Sequence, residues 1–321
     1  MPSPTPLTVL LAAPRGFCAG VDRAIEIVEV ALAAYGPPVY VRHAIVHNTH
    51  VVADLEAKGA IFIEDESEVP EGGIIVFSAH GVAPAVKQRA AALGLRQIDA
   101  TCPLVTKVHF EAEHYAQAGQ SIILIGHEGH QEVLGTAGVA PEVTHLVETA
   151  EDVEALDLPD PDNVAYLTQT TLSVDDAAEV AAAIRRRYPR ARGPRGEDIC
   201  YATTNRQGAT KALAERSDLV LVVGSATSSN SKRMVEVALD AGAPAAYLID
   251  AAADIDEGWL QGVSTVGLTS GASAPEALVT GVIQRLRDRP GGAVVETLDH
   301  VEEDVRFALP ADLRRLPLRS A

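Results

Sequence analysis

At 321 residues the chain is long for a single hydrophobic core, which predicts two or three domains. Its 47% hydrophobic and 22% charged residues are those of a globular protein, while a net charge of −18 and few aromatics (one Trp, seven Tyr, five Phe) argue against a nucleic-acid partner. With no basic leader, no apolar run near the roughly 18 residues a membrane span needs, and three cysteines too far apart for a disulfide framework, it reads as a cytoplasmic chain without membrane contact.

In chain order, Val9-Leu10-Leu11-Ala12 reads as a buried strand, and Val21, Ala24, Ile25, Val28 and Leu32 recur at helical spacing. Between them Gly16 and Gly20 flank Cys18, which places this thiol at a strand-to-helix junction, where helix N–H groups favour the thiolate. A strand at 39–41 leads to His47-Asn48, a short helix at 51–58 precedes a strand at 61–63, and a strand at 74–77 ends in Ser78-Ala79-His80-Gly81 before a helix at 84–93.

Asp99-Ala100-Thr101-Cys102-Pro103 opens a second round, with Val105, Val108, Ala112 and Tyr115 as the buried face of its helix. A strand at 122–125 delivers Gly126-His127-Glu128-Gly129-His130-Gln131-Glu132. Another at 164–167 delivers Thr168-Gln169-Thr170-Thr171, with Ser173 as a helix N-cap. Asp198-Ile199-Cys200 opens the third round: a helix at 205–216, a strand at 219–223 running into Ser228-Ser229-Asn230, and a strand at 265–268 running into Thr269-Ser270-Gly271-Ala272-Ser273.

The rounds keep register. From each cysteine to its first polar loop (His47, His130, Asn230) there are 29, 28 and 30 residues, and to its second (His80, Thr170, Ser273) 62, 68 and 73. In open α/β sheets ligands bind beyond the carboxyl ends of the strands. The expected fold is therefore α/β: three similar small α/β units arranged pseudo-threefold, bringing three thiolates to one centre. Unit boundaries are expected at 1–98, 99–197 and 198–287, with the tail 288–321, including a strand at 304–309, packed back on the first unit.

Three such thiolates suit a zinc ion, or three irons of a cubane cluster whose fourth iron stays open to substrate. Cysteines often pack as small hydrophobes, but matching junctions in three rounds do not call for that. A structural zinc site carries a short Cys-x₂₋₄-Cys pair, which is absent.

Glu132 can act as a general acid in a dry site, or simply complement a helix dipole. The spacing of His127 and His130 does not make the His-Glu-x-x-His of metalloproteases. Ser228, Ser229, Asn230 and Ser273 each fit a solvated loop, yet together exceed what capping needs and form a cradle for a diphosphate. Nucleotide-binding glycine motifs are absent. His109 and His114 read as packing or surface residues, and the sequence assigns no role to His43, His50, His127 or His145.

Pro14-Arg15-Gly16-Phe17-Cys18-Ala19-Gly20-Val21, Val46-His47-Asn48, Ser78-Ala79-His80-Gly81-Val82, Asp99-Ala100-Thr101-Cys102-Pro103-Leu104-Val105 and Gly129-His130-Gln131-Glu132-Val133 belong to one recognisable pattern. Thr168-Gln169-Thr170-Thr171, Cys200-Tyr201-Ala202-Thr203-Thr204-Asn205-Arg206-Gln207, Ser228-Ser229-Asn230 and Gly271-Ala272-Ser273-Ala274-Pro275 complete it. Over residues 7–310 the chain closely resembles the LytB/IspH family of 4-hydroxy-3-methylbut-2-enyl diphosphate reductases. The resemblance implies one 4Fe–4S cluster per chain, held by Cys18, Cys102 and Cys200. It implies Glu132 as proton donor, helped by Thr170 and His130. It also implies substrate binding by His47, His80, His130, Thr170, Ser228, Ser229, Asn230 and Ser273, mostly at the diphosphate.

The implied reaction is the reductive dehydroxylation of this prenyl diphosphate to isopentenyl and dimethylallyl diphosphates, the last step of the methylerythritol phosphate pathway. Two electrons would come from reduced ferredoxin or flavodoxin. Gln131 departs from the Pro that the family pattern carries. Two other readings use the same residues: a redox-neutral hydratase or lyase, which needs no electron donor, and a redox sensor, which needs no diphosphate cradle.

Overall fold

The computed structural model describes residues 6–314. Its elements follow in the order β1 (Leu7–Ala13), α1 (Ala19–Tyr35), β2 (Val39–Arg42), α2 (Thr49–Ala57), β3 (Ala60–Ile63), β4 (Ile74–Phe77), α3 (Pro84–Ala92), β5 (Arg96–Asp99), α4 (Pro103–Gln117), β6 (Ser121–Ile125), α5 (Gln131–Ala137), β7 (Thr144–Val147), α6 (Ala150–Ala155), β8 (Val164–Thr168), α7 (Val174–Arg187), α8 (Tyr201–Ala214), β9 (Leu219–Val223), α9 (Ser229–Asp240), β10 (Ala246–Ile249), β11 (Thr265–Ser270), α10 (Glu276–Arg287), β12 (Ala293–Asp299) and α11 (Ala311–Arg314). On α1 the core face is taken by Ala24, Ile27, Val28 and Ala31. Ile25, expected there, is only half-buried, because a 3.6-residue period carries it off that stripe. Among the described residues no helix is long and apolar enough to cross a membrane.

The chain divides into two compact units. One contains the residues up to Cys18, His47–Thr49 and Tyr201–Val305; the other contains Ala19–Val46, His50–Cys200 and the residues from Arg306. The first unit carries a parallel sheet of order β10-β9-β11-β1-β12. Its core is built from Val9, Leu11, Leu221, Val223, Val266 and Leu268 on the strands, with Val279, Val282 and Leu286 of α10 packed over them. The continuous burial of β9 follows from having a covered face on each side, as parallel strands do. The second unit carries two parallel sheets, β3-β2-β4-β5 and β7-β6-β8, with Arg192 bridged to Ala165 beside β8.

The repeat expected from spacing is visible in connectivity. Each sheet orders its strands second, first, third, and then the segment that leads into a cysteine: β5 before Cys102, the Arg192 segment before Cys200, β1 before Cys18. Each round thus ends at its cysteine. Two expectations are corrected by this. β1 does not join the strands of residues 39–99; it lies between β11 and β12, with Val9 opposite both Val266 and Val295. Parallel partners are joined through long crossovers, so a buried run carries no local mark of its neighbours. The tail strand is β12, paired with β1 from Leu7–Ala293 to Ala13–Asp299, and residues 304–309 form no strand.

The residue just before that segment, Glu303, serves a different purpose. Arg206 of α8 is fully buried, donates Nε and Nη2 to the Gly16 carbonyl (3.2 and 2.8 Å), and meets Glu303 through Nη1 (3.0 Å). Glu303 is the counter-charge that lets a guanidinium anchor the Cys18 loop from the interior. Glu303→Ala is expected to lower unfolding free energy by about 3 kcal/mol in urea titration, because the buried cation loses its partner. Exposed Asp304→Ala should change it by less than about 0.5 kcal/mol.

Candidate active site

In the first unit β1 delivers the Cys18 loop. Gly16 has φ +68, a left-handed backbone that side-chain-bearing residues rarely adopt, so this turn favours glycine. The Cys18 N–H donates to the Ala272 carbonyl (3.2 Å), and the Ala272 N–H donates to Asn230 Oδ1 (2.9 Å). Ser273 Oγ donates to the His47 carbonyl (3.0 Å). Ser228 caps α9, its hydroxyl accepting from the Ser231 N–H (3.2 Å), and Ser229 and Asn230 form the first turn. Cys18, His47, Ser228, Ser229, Asn230 and Ser273 therefore belong to the same unit, and backbone bonds through Ala272 tie Cys18 to Asn230.

Asn230 Nδ2, Thr269 Oγ1 and Ser270 Oγ are buried there without hydrogen-bond partners. Each such group costs about 1–3 kcal/mol, and an acceptor-rich anion would relieve donors of this kind. In the sequence Thr269 and Ser270 belong to the polar loop after the strand at 265–268, without being singled out as ligands. The available signal was two adjacent hydroxyls at the carboxyl end of an otherwise apolar strand.

The second unit holds the other two cysteines. The Cys102 N–H donates to the Ala79 carbonyl (3.0 Å) beside His80, and the Cys200 N–H donates to the Thr170 carbonyl (3.1 Å). With Cys18 and Ala272, the same bond occurs three times, each tying a cysteine to a polar loop at a strand end. All three thiols are half-buried. The His80 and His130 rings meet edge to face at 6.0 Å. His130 Nδ1 accepts from the Glu132 N–H (3.2 Å), so the proton of the neutral ring sits on Nε2.

Glu132 is 2% exposed, and Thr170 donates to it twice, from its N–H (2.6 Å) and from Oγ1 (3.0 Å). Burial pushes the Glu132 carboxyl up to about 7; the two Thr170 bonds oppose that rise, and the Asp198 charge adds to it. Its place in the first turn of α5 also suits the helix dipole, but a surface carboxylate would serve that purpose without burial. Gln131 is the first residue of that helix, a position that accepts Pro or another residue alike.

The remaining histidines have structural surroundings. His43 Nδ1 meets Glu64 (2.7 Å) and His127 Nδ1 meets Glu148 (3.4 Å). His145 lies on β7 opposite Ile123, and His50 is exposed near the start of α2. His109 packs on α4 beneath the His80 loop: a Cβ at Gly81 would come within 2.9 Å of its ring. Its pKa is lowered to about 4, first by burial and then by Lys87. Within neither unit do three or more His, Cys, Asp or Glu side chains of the described residues gather as a metal-holding group.

The family model described as LytB protein matches residues 9–287. Curated relatives named 4-hydroxy-3-methylbut-2-enyl diphosphate reductase include one from Acidothermus cellulolyticus, 59% identical over 307 residues (96% of this chain, 90% of the relative). Another, from Mycobacterium ulcerans, is 59% identical over 311 residues (97% and 93%). The solved structure of the E-1-hydroxy-2-methyl-but-2-enyl-4-diphosphate reductase from Plasmodium falciparum aligns with a TM-score of 0.93 at 42% identity, covering 96% of this chain and 97% of that one. A family match that spans all three cysteines, Glu132 and the Asn230 cradle, with relatives this similar along nearly the whole chain, leaves one conclusion: the chain belongs to the LytB protein family.

Proposed function

We propose that this chain catalyses the reductive dehydroxylation of 4-hydroxy-3-methylbut-2-enyl diphosphate to isopentenyl and dimethylallyl diphosphates, closing the methylerythritol phosphate pathway in the cytoplasm. Two electrons, from reduced ferredoxin or flavodoxin, and two protons convert the substrate into product and water. The observation that carries the reading is Glu132: a buried carboxyl with a pKa raised to about 7, clamped by Thr170 and next in sequence but one to His130. Such a group holds a proton at neutral pH and can give it to a departing hydroxyl.

Three half-buried thiols, each tied through its N–H to a loop beyond a strand, are a sulfur-only donor set, which fits a cubane cluster with one iron not bound by cysteine. One 4Fe–4S cluster per chain, held by Cys18, Cys102 and Cys200, would supply electrons and Lewis acidity at the allylic C–O bond. Thr170 and His130 orient Glu132 and the proton it carries. Asn230, with its buried unpartnered amide nitrogen, and Ser228, Ser229, Ser273 and His47 bind the diphosphate, with His80, His130 and Thr170 as the other substrate contacts.

Anaerobic turnover of the hydroxylated prenyl diphosphate with reduced methyl viologen tests the reading. Product formed without reductant would favour the hydratase instead, and cluster binding without turnover would favour the sensor. Asn230→Ala is expected to raise KM about tenfold or more with a smaller change in kcat, since a bond to a charged oxygen contributes roughly 1.5–3 kcal/mol; steady-state kinetics measure this. The rate should fall as pH rises through about 7, where Glu132 loses its proton. Thr170→Val removes a hydrogen bond that favours the carboxylate, so pH–rate profiles should show that fall moved to higher pH.

A further inference from the structure

We propose that a cationic hollow along α4 docks a small acidic iron–sulfur carrier protein, so that electrons enter beside Cys102. This rests on the reductase reading above.

Helix α4 begins at the residue after Cys102. Val105, Val108, Ala112 and Tyr115 bury one face. The strip of Pro103, Lys107, Phe110 and His114 lines a surface hollow of about 650 Å³, which Arg23 and Arg195 complete. Phe110 is 66% exposed, and an aromatic ringed by basic side chains has the composition of a protein-binding anchor. Arg23, Lys107 and Arg195 set three cations against two carboxylates, Glu111 in the lining and the buried Asp198 behind Lys107, which leaves the face locally positive on a chain whose net charge is −18. An acidic carrier is repelled by such a chain overall, so a local cationic face would steer where it lands.

The hollow also backs onto two of the cysteine segments. Arg23 Nη1 donates to the carbonyls of Ala100 and Thr101 (3.3 and 3.0 Å), the residues before Cys102, and its charge lies within electrostatic reach of the Cys102 sulfur. Lys107 Nζ holds Asp198 (3.0 Å), two residues before Cys200, whose side chain is fully buried behind it. Phe110 stands eight residues beyond Cys102, a little over two turns and about 12 Å along the helix axis. A carrier seated on this face brings its own centre close to the Cys102 segment through a small, transient interface, the kind usual for redox partners. Each docked carrier is oxidised by one electron. Two successive dockings supply the pair that, with two protons, expels the hydroxyl as water.

The test uses the cluster-loaded chain, the double variant Phe110→Ala, Arg195→Glu, and a control, Arg190→Glu, at an exposed arginine of the same unit. Binding of an oxidised acidic [2Fe–2S] ferredoxin is titrated by calorimetry, and turnover is driven in turn by that ferredoxin, reduced, and by reduced methyl viologen. The double variant should bind ferredoxin at least about tenfold more weakly and lose ferredoxin-driven kcat/KM by the same factor, with a flatter salt dependence. Viologen-driven turnover and the control should stay within about twofold of the parent. Unchanged ferredoxin affinity in the double variant overturns the docking site, as does an equal loss with both reductants. A parent chain inactive with viologen overturns the reductase reading itself.

Discussion

Glu132→Gln should reduce turnover by about 10²–10⁴-fold while leaving the chain folded and its iron content unchanged. Glutamine preserves the shape of the site. Its carbonyl oxygen can accept the Thr170 N–H, and its amide can donate to Thr170 Oγ1, which then turns from donor to acceptor. What it cannot do is release a proton at neutral pH. The buried carboxyl can, because burial holds its pKa near 7.

The same shift has a thermodynamic sign. Folded chain keeps this proton to higher pH than unfolded chain, so the group's contribution is fullest at acid pH and is lost as pH rises through about 7. Urea midpoints of the parent should therefore drop between pH 5 and 8, and those of Glu132→Gln should drop less. Part of the slope will remain, since Asp198, pushed up to about 6 mainly by burial, titrates in the same direction. An active Glu132→Gln chain would remove this residue from the chemistry.

Cys102→Ser should lower both bound iron and turnover, the latter by more than about 100-fold, since losing a residue that merely supports a metal ligand already costs 10–100-fold. A serine hydroxyl stays protonated where a thiol ionises, so the proposed sulfur ligand would be lost. The local fold should survive, because what holds position 102 is backbone: its N–H to Ala79, and the Arg23 grip on the carbonyls of Ala100 and Thr101. Iron and sulfide analysis of protein purified without oxygen, beside turnover and circular dichroism, separates loss of the ligand from loss of structure. Full activity at unchanged iron content would remove Cys102 from the metal site.

Much of the molecule is written in local patterns. Buried runs such as residues 219–223, the helical stripe of Val105, Val108, Ala112 and Tyr115, and the capping serine at 173 are set by neighbours a few residues away, so each appears where the chain predicts it. The positions of Cys18 and Cys102 follow from the same short-range logic, a strand, a turn, then a helix, whereas Cys200 is preceded only by the isolated Arg192 bridge. Long-range contacts decided the rest. β1 could have paired with any buried parallel strand, and only the assembled sheet puts it between β11 and β12. Glu303 acquires meaning from Arg206, nearly a hundred residues earlier, and Glu132 gains its buried carboxyl, its raised pKa and its two bonds from Thr170, distant in sequence, only in the folded chain. Periodicity and capping are properties of adjacent residues, whereas desolvation and parallel pairing exist only once the chain has folded upon itself.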